Sequence, residues 1–596
     1  MNHNTTCVHV THEAAEKIGG IGSVLHGFFT SKSYLNTVDR SIVIGPLFTR
    51  EGHVCTRLGE NGKVLYSSID AVHDSKYVSA FQMIEGFFNT PIVYGTKVYR
   101  DAESGIESMQ EVILIDVTCM NAAPINDLKA KMFQHFDIRS NLYEYIWEFE
   151  QYVRLAPVAM AILREIGAAS DHTNIIAHEF MGMPTALAAK LDNSCHYITT
   201  FYAHEVATVR EIVEKSEGRD TMFYNSLNYA RQNGLFVDQV FGDRSYYFKH
   251  PLVKASRFCD HICAVGDYVA EELQFLSPDF AESNINIVYN GIGSYKITTE
   301  DKLRSKAKLQ AYCKELLKYE PDFIFTHVSR LVPSKGLWRD LQILERIEKE
   351  FRIQGHTGVM LLLATETGAK RPCEIQRIEK KYNWPVVHRE GWPDLSGGEA
   401  SLYEKIQEFN AVSRNLKVIF INQFGFSRKS CGNRVPEDIN FLDIRKGADV
   451  EFGLSIYEPF GIAQLEALTF GGICVISSVC GCAGLLRDVT KSQPIKNVIV
   501  ADYISLNGHF KDKGPWEIDH NITEQVEADL AEKLALQICN ALPKSKEDLQ
   551  DLMRTGQETS KNMTWDSIVD RYLLPILTTH SDELHEKYLL SAEAKN

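Results

Sequence analysis

No stretch of this chain approaches the roughly 18 consecutive apolar residues needed to span a bilayer. The longest run of that kind, Val359-Met360-Leu361-Leu362-Leu363-Ala364, has the length of a buried strand. A basic segment leading into an apolar run near residue 1 is also missing, so a secretory signal is not expected. Positive charge is in deficit: 63 Lys+Arg stand against 78 Asp+Glu, a net charge of −15. That balance argues against a surface that tracks nucleic acid or an anionic membrane. The 13 cysteines are odd in number and scattered, which excludes an ordinary disulfide framework and fits a reducing, cytoplasmic compartment. Two close pairs, Cys259 with Cys263 around His261 and Cys480 with Cys482, lack a second ligand pair at zinc spacing and read as core thiols. There is no short-period repeat and no low-complexity tract.

What is present is an ordinary globular composition, 44% hydrophobic and 24% charged, over 596 residues, enough for at least two cores. Short apolar runs alternate with helical patterns. Strands are expected at Cys7 to Val10, Ile42 to Ile44, Ile113 to Val117, Ile175 to Ala177, Tyr197 to Phe201 and Ile262 to Val265. Helices are expected at Ser23 to Phe29, Leu142 to Leu163 and Pro184 to Lys190. After a helix at Asp301 to Tyr319 the rhythm restarts, with strands at Phe323 to Val328, Val359 to Ala364, Val386 to His388, Val418 to Asn422, Val450 to Ser455, Ile473 to Ile476 and Asn497 to Val500. Residues 366–415 are polar, with little periodicity, and read as an insertion. Helices at Val526 to Ala541 and Trp565 to Leu577 close the pattern. Short apolar strands alternating with helices predict parallel sheets covered on both faces, here two doubly wound α/β domains in tandem.

Three elements carry chemistry. The loop Lys17-Ile18-Gly19-Gly20-Ile21-Gly22-Ser23-Val24 follows a strand and opens a helix. Glycines let a backbone approach a bulky anion, amides at the helix start bind it, and Lys17 adds a point charge. The plain alternative is a tight turn. Arg330 and Lys335 flank the loop after the strand Phe323 to Val328, where both can reach one diphosphate, unless they are merely solvated cations. Glu458-Pro459-Phe460-Gly461-Ile462 ends a strand and begins a helix that carries Glu466. Two such carboxylates can accept hydrogen bonds from sugar hydroxyls, and the amides of Gly461 and Ile462 can face phosphate.

Together these elements resemble the retaining glycosyltransferases of the two-Rossmann GT-B type, most nearly the glycogen and starch synthases. The loop Lys17 to Val24 is similar to their lysine-x-Gly-Gly-Leu-Gly loop, and Glu458 and Glu466 to their two spaced glutamates. Arg330 and Lys335 match their basic pair. Ala177-His178-Glu179-Phe180 resembles their His-Asp-Trp segment, Phe201 to His204 their Phe-Thr-x-His segment, and Tyr289-Asn290-Gly291-Ile292 their Pro-Asn-Gly-Ile segment. The matches keep family order from residue 17 to about residue 484. Departures are Ile21 for Leu, Ser23 for Asp, Glu179 and Phe180 for Asp and Trp, and Cys480-Gly481-Cys482-Ala483-Gly484 for a Thr-Gly-Gly segment.

The resemblance implies a first domain of residues 1–300, completed by 566–596, and a second of 301–565. It implies transfer of a glucosyl unit from ADP- or UDP-glucose to the non-reducing end of an alpha-1,4-glucan, through a front-face, oxocarbenium-like step with a diphosphate oxygen as base. Catalytic roles fall to Glu458, His178, Arg330 and Lys335. Donor binding falls to Lys17, Gly19, Gly20, Gly22, Arg330, Lys335, Gly461, Ile462 and Glu466, and the acceptor or sugar pocket to His204 and Asn290. As lone residues, the two histidines would read as satisfied core groups. No metal and no cofactor is implied beyond the nucleotide-sugar substrate, and there is room for a homo-oligomer. Other readings are a retaining transferase with a small sugar or sugar-phosphate acceptor, an inactive nucleotide-sugar-binding regulator, and an epimerase or hydrolase, which would need further acid and base carboxylates in its cleft.

Overall fold

Valine- and isoleucine-rich segments buried on both faces build two open sheets. The computed structural model describes residues 5–578 except 18, 102, 103, 282, 392 and 507. Ile18 of the glycine loop and the expected tail beyond residue 578 therefore lie outside the described residues. The strands are β1 (Thr6–Val10), β2 (Arg40–Pro46), β3 (Gly62–Ser67), β4 (Val72–His73), β5 (Ile92–Arg100), β6 (Glu107–Ile115), β7 (Thr173–His178), β8 (Ile198–Ala203), β9 (His261–Ala264), β10 (Ile285–Ile287), β11 (Phe323–Arg330), β12 (Gly358–Thr365), β13 (Leu416–Ile421), β14 (Val450–Gly453), β15 (Ile473–Ser477) and β16 (Val498–Ala501).

The chain divides into two units. The first takes the described residues of Met1–Val209, Ala230–Gly291 and Trp565–Asn596, and the second those of Arg210–Tyr229 and Ile292–Thr564. The first sheet runs β10-β9-β8-β7-β1-β2-β6-β5-β3-β4. It is parallel from β10 to β6 and antiparallel over β6-β5-β3-β4. The antiparallel flank escaped the reading because β3 to β5 mix Lys, Tyr, Thr and Gly and show no apolar run. The segment Trp565–Leu577 folds onto this unit: Trp565 meets the Phe28 ring edge-on at 5.7 Å, and Asp566 accepts the Ser31 hydroxyl at 2.7 Å. It is not one regular helix, since a π turn at Val569–Leu573 interrupts it.

The second sheet is wholly parallel, in the order β13-β12-β11-β14-β15-β16. The segment Arg210–Tyr229, which the sequence reading leaves within 1–300, packs here. Asp220 takes two hydrogen bonds from Arg339, at 2.7 and 3.0 Å, and the same guanidinium donates to Glu527 at 2.8 Å. All three side chains are buried, with the Tyr503 ring 3.6 Å from the guanidinium carbon.

Residues 366–415 are not an insertion. They form the crossover from β12 to β13, with helices at Pro372–Tyr382 and Gly397–Val412. The first buries only Ile375, Ile378 and Tyr382, a narrow stripe masked by charge. The strand expected at Val386 to His388 is a turn: His388 is buried and uses its ring on Asp394 (3.1 Å) and the Phe420 carbonyl (2.7 Å).

Candidate active site

In an open α/β sheet, ligands bind at the carboxyl ends of neighbouring strands whose connections leave in opposite directions. In the first unit that switch point is β1/β7, because β1 leads to β2 on one side and β7 to β8 on the other. In the second it is β11/β14. Most of the residues singled out from sequence lie at or beside these two places; Asn290 follows β10, at the far edge of the first sheet.

At β1/β7, adjacent strands deliver a row of imidazoles. His9 lies one residue before the end of β1, His178 ends β7, and His204 follows β8. His178 Nε2 is 3.0 Å from His9 Nδ1, and His178 Nδ1 is 2.8 Å from His204 Nε2. His9 Nε2 is 2.9 Å from the Tyr34 hydroxyl, which is 3.0 Å from Ser41 Oγ. Burial pushes the His9 pKa down to about 3. Burial, reinforced by His12, does the same to His204, down to about 3. Burial and the neighbouring His204, His9 and His12 hold His178 well below the ordinary value. The three rings are therefore neutral at physiological pH.

This geometry changes the role expected of His178. Both its ring nitrogens are taken and it is fully buried, so it has none left for a sugar hydroxyl. His204 is the partly open member of the row. Glu179, which follows His178, holds φ +60, a left-handed conformation that costs a residue with a Cβ about 1–2 kcal/mol. Its carboxylate accepts the amides of His204 and Glu205, which ties the end of β7 to the end of β8.

The glycine loop also differs from expectation. The Glu13 carboxylate accepts the amide of Gly19 at 2.7 Å and that of Gly22 at 2.9 Å. In this state a protein carboxylate holds the two amides expected to meet phosphate. Lys17 and Gly20 are exposed, and nothing lies within 4 Å of a Cβ built on Gly20, so an anion can approach there. Asn290 is buried, and its Oδ1 has no hydrogen-bond partner among the described residues.

At β11/β14 the chemistry is ionic. The Ser334 carbonyl accepts the amides of Ile456 (2.8 Å) and Tyr457 (3.3 Å), which pins the loop after β11 to the loop after β14. Lys335 and Glu458 meet there in a close ion pair, each side chain 14% exposed. Ser455 Oγ and Gln464 Nε2 also reach Glu458, both at 3.3 Å. Arg330 ends β11 and is exposed. Gly461 has φ +92 and a Cβ there would lie 2.7 Å from Gln464 Oε1, so only glycine fits between Glu458 and the helical turn Ile462–Leu465. Glu466 follows that turn. One of its oxygens is held at 2.8 Å by buried Arg445, which also pairs with Glu451 at 2.7 Å, while the side chain stays 37% exposed.

The Cys480 to Gly484 departure has a structural role. The amides of Gly481 and Cys482 donate to the carbonyls of Glu458 (3.1 Å) and Phe460 (2.8 Å), fixing the Glu458 loop. His9, Tyr34, Glu13 and Arg445 are the contributors that sequence reasoning missed. A histidine inside an apolar strand and an acid six residues before a glycine cluster were the available signals.

No protein-family model matches the chain, and no curated protein sequence does. Solved structures do. The catalytic domain of starch synthase IV from Arabidopsis thaliana, bound to ADP and acarbose, is 14% identical over 98% of this chain and 99% of its own, with a TM-score of 0.52. The N-terminal domain of Candida albicans trehalose-6-phosphate phosphatase is 10% identical over 97% of each chain, with a TM-score of 0.51. At these identities the likeness is one of fold: the chain has the GT-B architecture of two parallel-sheet α/β units.

Proposed function

We propose that the chain is a retaining glycosyltransferase that moves a glucosyl unit from ADP- or UDP-glucose to a carbohydrate acceptor, in the first place the non-reducing end of an alpha-1,4-glucan. The observation that carries this reading is the Lys335–Glu458 pair at the β11/β14 switch point, beside Arg330. A donor diphosphate draws Lys335 off Glu458. Lys335 and Arg330 then neutralise the charge that builds on the leaving nucleotide. The released Glu458 carboxylate accepts hydrogen bonds from the donor sugar, and the exposed side of Glu466 takes the ribose hydroxyls. In the first unit, Lys17 and the open face of Gly20 are the groups suited to a phosphate. His204, in place of His178, meets a hydroxyl of the transferred sugar. A diphosphate oxygen serves as base, and no metal or cofactor takes part. ADP bound to the starch synthase of the same fold supports a nucleoside diphosphate as ligand.

A small sugar or sugar-phosphate acceptor is the second reading. It is favoured by Ser23, Glu179 and Phe180, which depart from the glucan-synthase pattern in the first unit. Nucleoside diphosphate release decides between them, measured for ADP- and UDP-sugars against glycogen, maltooligosaccharides, glucose and glucose 6-phosphate. Release that requires glycogen supports the first reading and release that requires a small acceptor the second. Absence of acceptor-dependent release with every pair sinks the transferase assignment.

A further inference from the structure

We propose that Tyr34, His9 and His178 form a neutral hydrogen-bond chain that fixes the tautomer of His204, so that His204 presents an Nδ1–H donor to a hydroxyl oxygen of the bound sugar. The role at the sugar rests on the transferase reading above; the polarity of the chain does not.

A neutral imidazole has one donor nitrogen and one acceptor nitrogen. With His9, His178 and His204 joined nitrogen to nitrogen, the tautomer of one ring dictates that of the next, and the row has only two self-consistent states. In one, every ring carries its proton on Nδ1; in the other, on Nε2. The buried end chooses between them. Ser41 is 5% exposed, and its hydroxyl has Tyr34 as its one side-chain partner among the described residues. A buried O–H without an acceptor costs more than an idle lone pair, so Ser41 donates to Tyr34. Burial pushes the neighbouring Cys7 thiol up to about 12, so no thiolate competes for the Tyr34 proton. Tyr34 must then donate to His9 Nε2, His9 Nδ1 to His178 Nε2, and His178 Nδ1 to His204 Nε2. His204 Nδ1–H is left over. It has no hydrogen-bond partner among the described residues, and His204 is the least buried of the three histidines. Tyr34, His9 and His178 are thus positioning residues, and His204 touches the substrate.

Neutron diffraction from crystals of the full chain at pD 6 and 8 reads the chain directly. The expected result is deuterium on Nδ1, and not on Nε2, of His9, His178 and His204 at both values. Deuterium on Nε2 of any of them, or on both nitrogens, overturns the proposal. Tyr34→Phe keeps the ring that stacks on Phe28 and removes only the hydroxyl. It is expected to lower kcat about fivefold, the worth of one neutral hydrogen bond, with donor KM unchanged. An unchanged kcat, or an equal loss in KM, overturns the link to the sugar. Should the wild-type chain show no transfer, the transferase reading fails, and the neutron maps still decide the polarity.

Discussion

The two switch points solve the same problem with opposite materials. At β1/β7, the histidine row is buried without charge: three imidazoles held neutral, joined end to end and closed by a phenol. At β11/β14, opposite charges sit side by side at a partly open surface, Lys335 on Glu458 and Arg445 on Glu466. A neutral row offers direction without attraction, so it orients a hydroxyl but does not gather an anion. An ion pair attracts, and it can exchange a partner for an arriving anion. The difference teaches that each unit ends its central strands in a polar cluster of a different kind, a directional one at β1/β7 and a paired-charge one at β11/β14.

The largest test of that contrast is removal of charge. Lys335→Ala or Glu458→Ala is expected to lower kcat by about 10²–10³-fold, an effect that exceeds any fall in thermal stability from leaving the partner of a mostly buried pair unpaired. Near-normal turnover in either variant would sink the assignment. Next comes a charge with a purely structural role: Arg339→Ala takes from buried Asp220 the guanidinium that pairs with it, and leaves Glu527 only Trp338 and Arg219, a loss of about 3–5 kcal/mol, read by urea unfolding. Unfolding within 1 kcal/mol of wild type, roughly the worth of a surface pair, would refute this anchoring role.

The neutral row gives a smaller effect that depends on pH. The folded pKa of His9 is about 3, below the roughly 6.5 of an unfolded chain. Between those values the unfolded state binds a proton that the folded state does not, so stability is complete above about 6.5 and falls as pH drops. From pH 7 to 5 the loss from His9 is about 2 kcal/mol. His9→Gln should flatten that slope in urea titrations, and an unchanged slope would place the proton uptake elsewhere. The smallest effect is screening. Raising ionic strength from about 0.05 to 0.5 M should raise donor KM a few-fold through Lys335 and Arg330, with no change in the pH dependence that the histidines set.

Much of the fold was legible because parallel strands buried on both faces leave unbroken apolar runs, as in Val359 to Ala364. The flank β3 to β5 was not, since an antiparallel edge alternates and this one mixes lysine and tyrosine into the alternation. Residues 366–415 hid their helices because three buried side chains on Pro372–Tyr382 are outnumbered by charged ones. For the site, Lys335 and Glu458 could be chosen from their loops, and they do meet. His9 could not, because nothing in a strand of five residues shows which neighbour its ring will face. Glu13 was passed over because an acid near a glycine loop carries meaning only once its carboxylate is seen on the amides of Gly19 and Gly22.

The docking of Trp565 on Phe28 joins positions separated by almost the whole length of the chain. During synthesis at about 5–20 residues per second, the helix bearing Phe28 waits roughly half a minute to two minutes for that partner to leave the ribosome. Until residue 565 has been made, the Phe28 face lacks this partner, so the β1/β7 region cannot reach its final packing on the first unit's earlier residues alone.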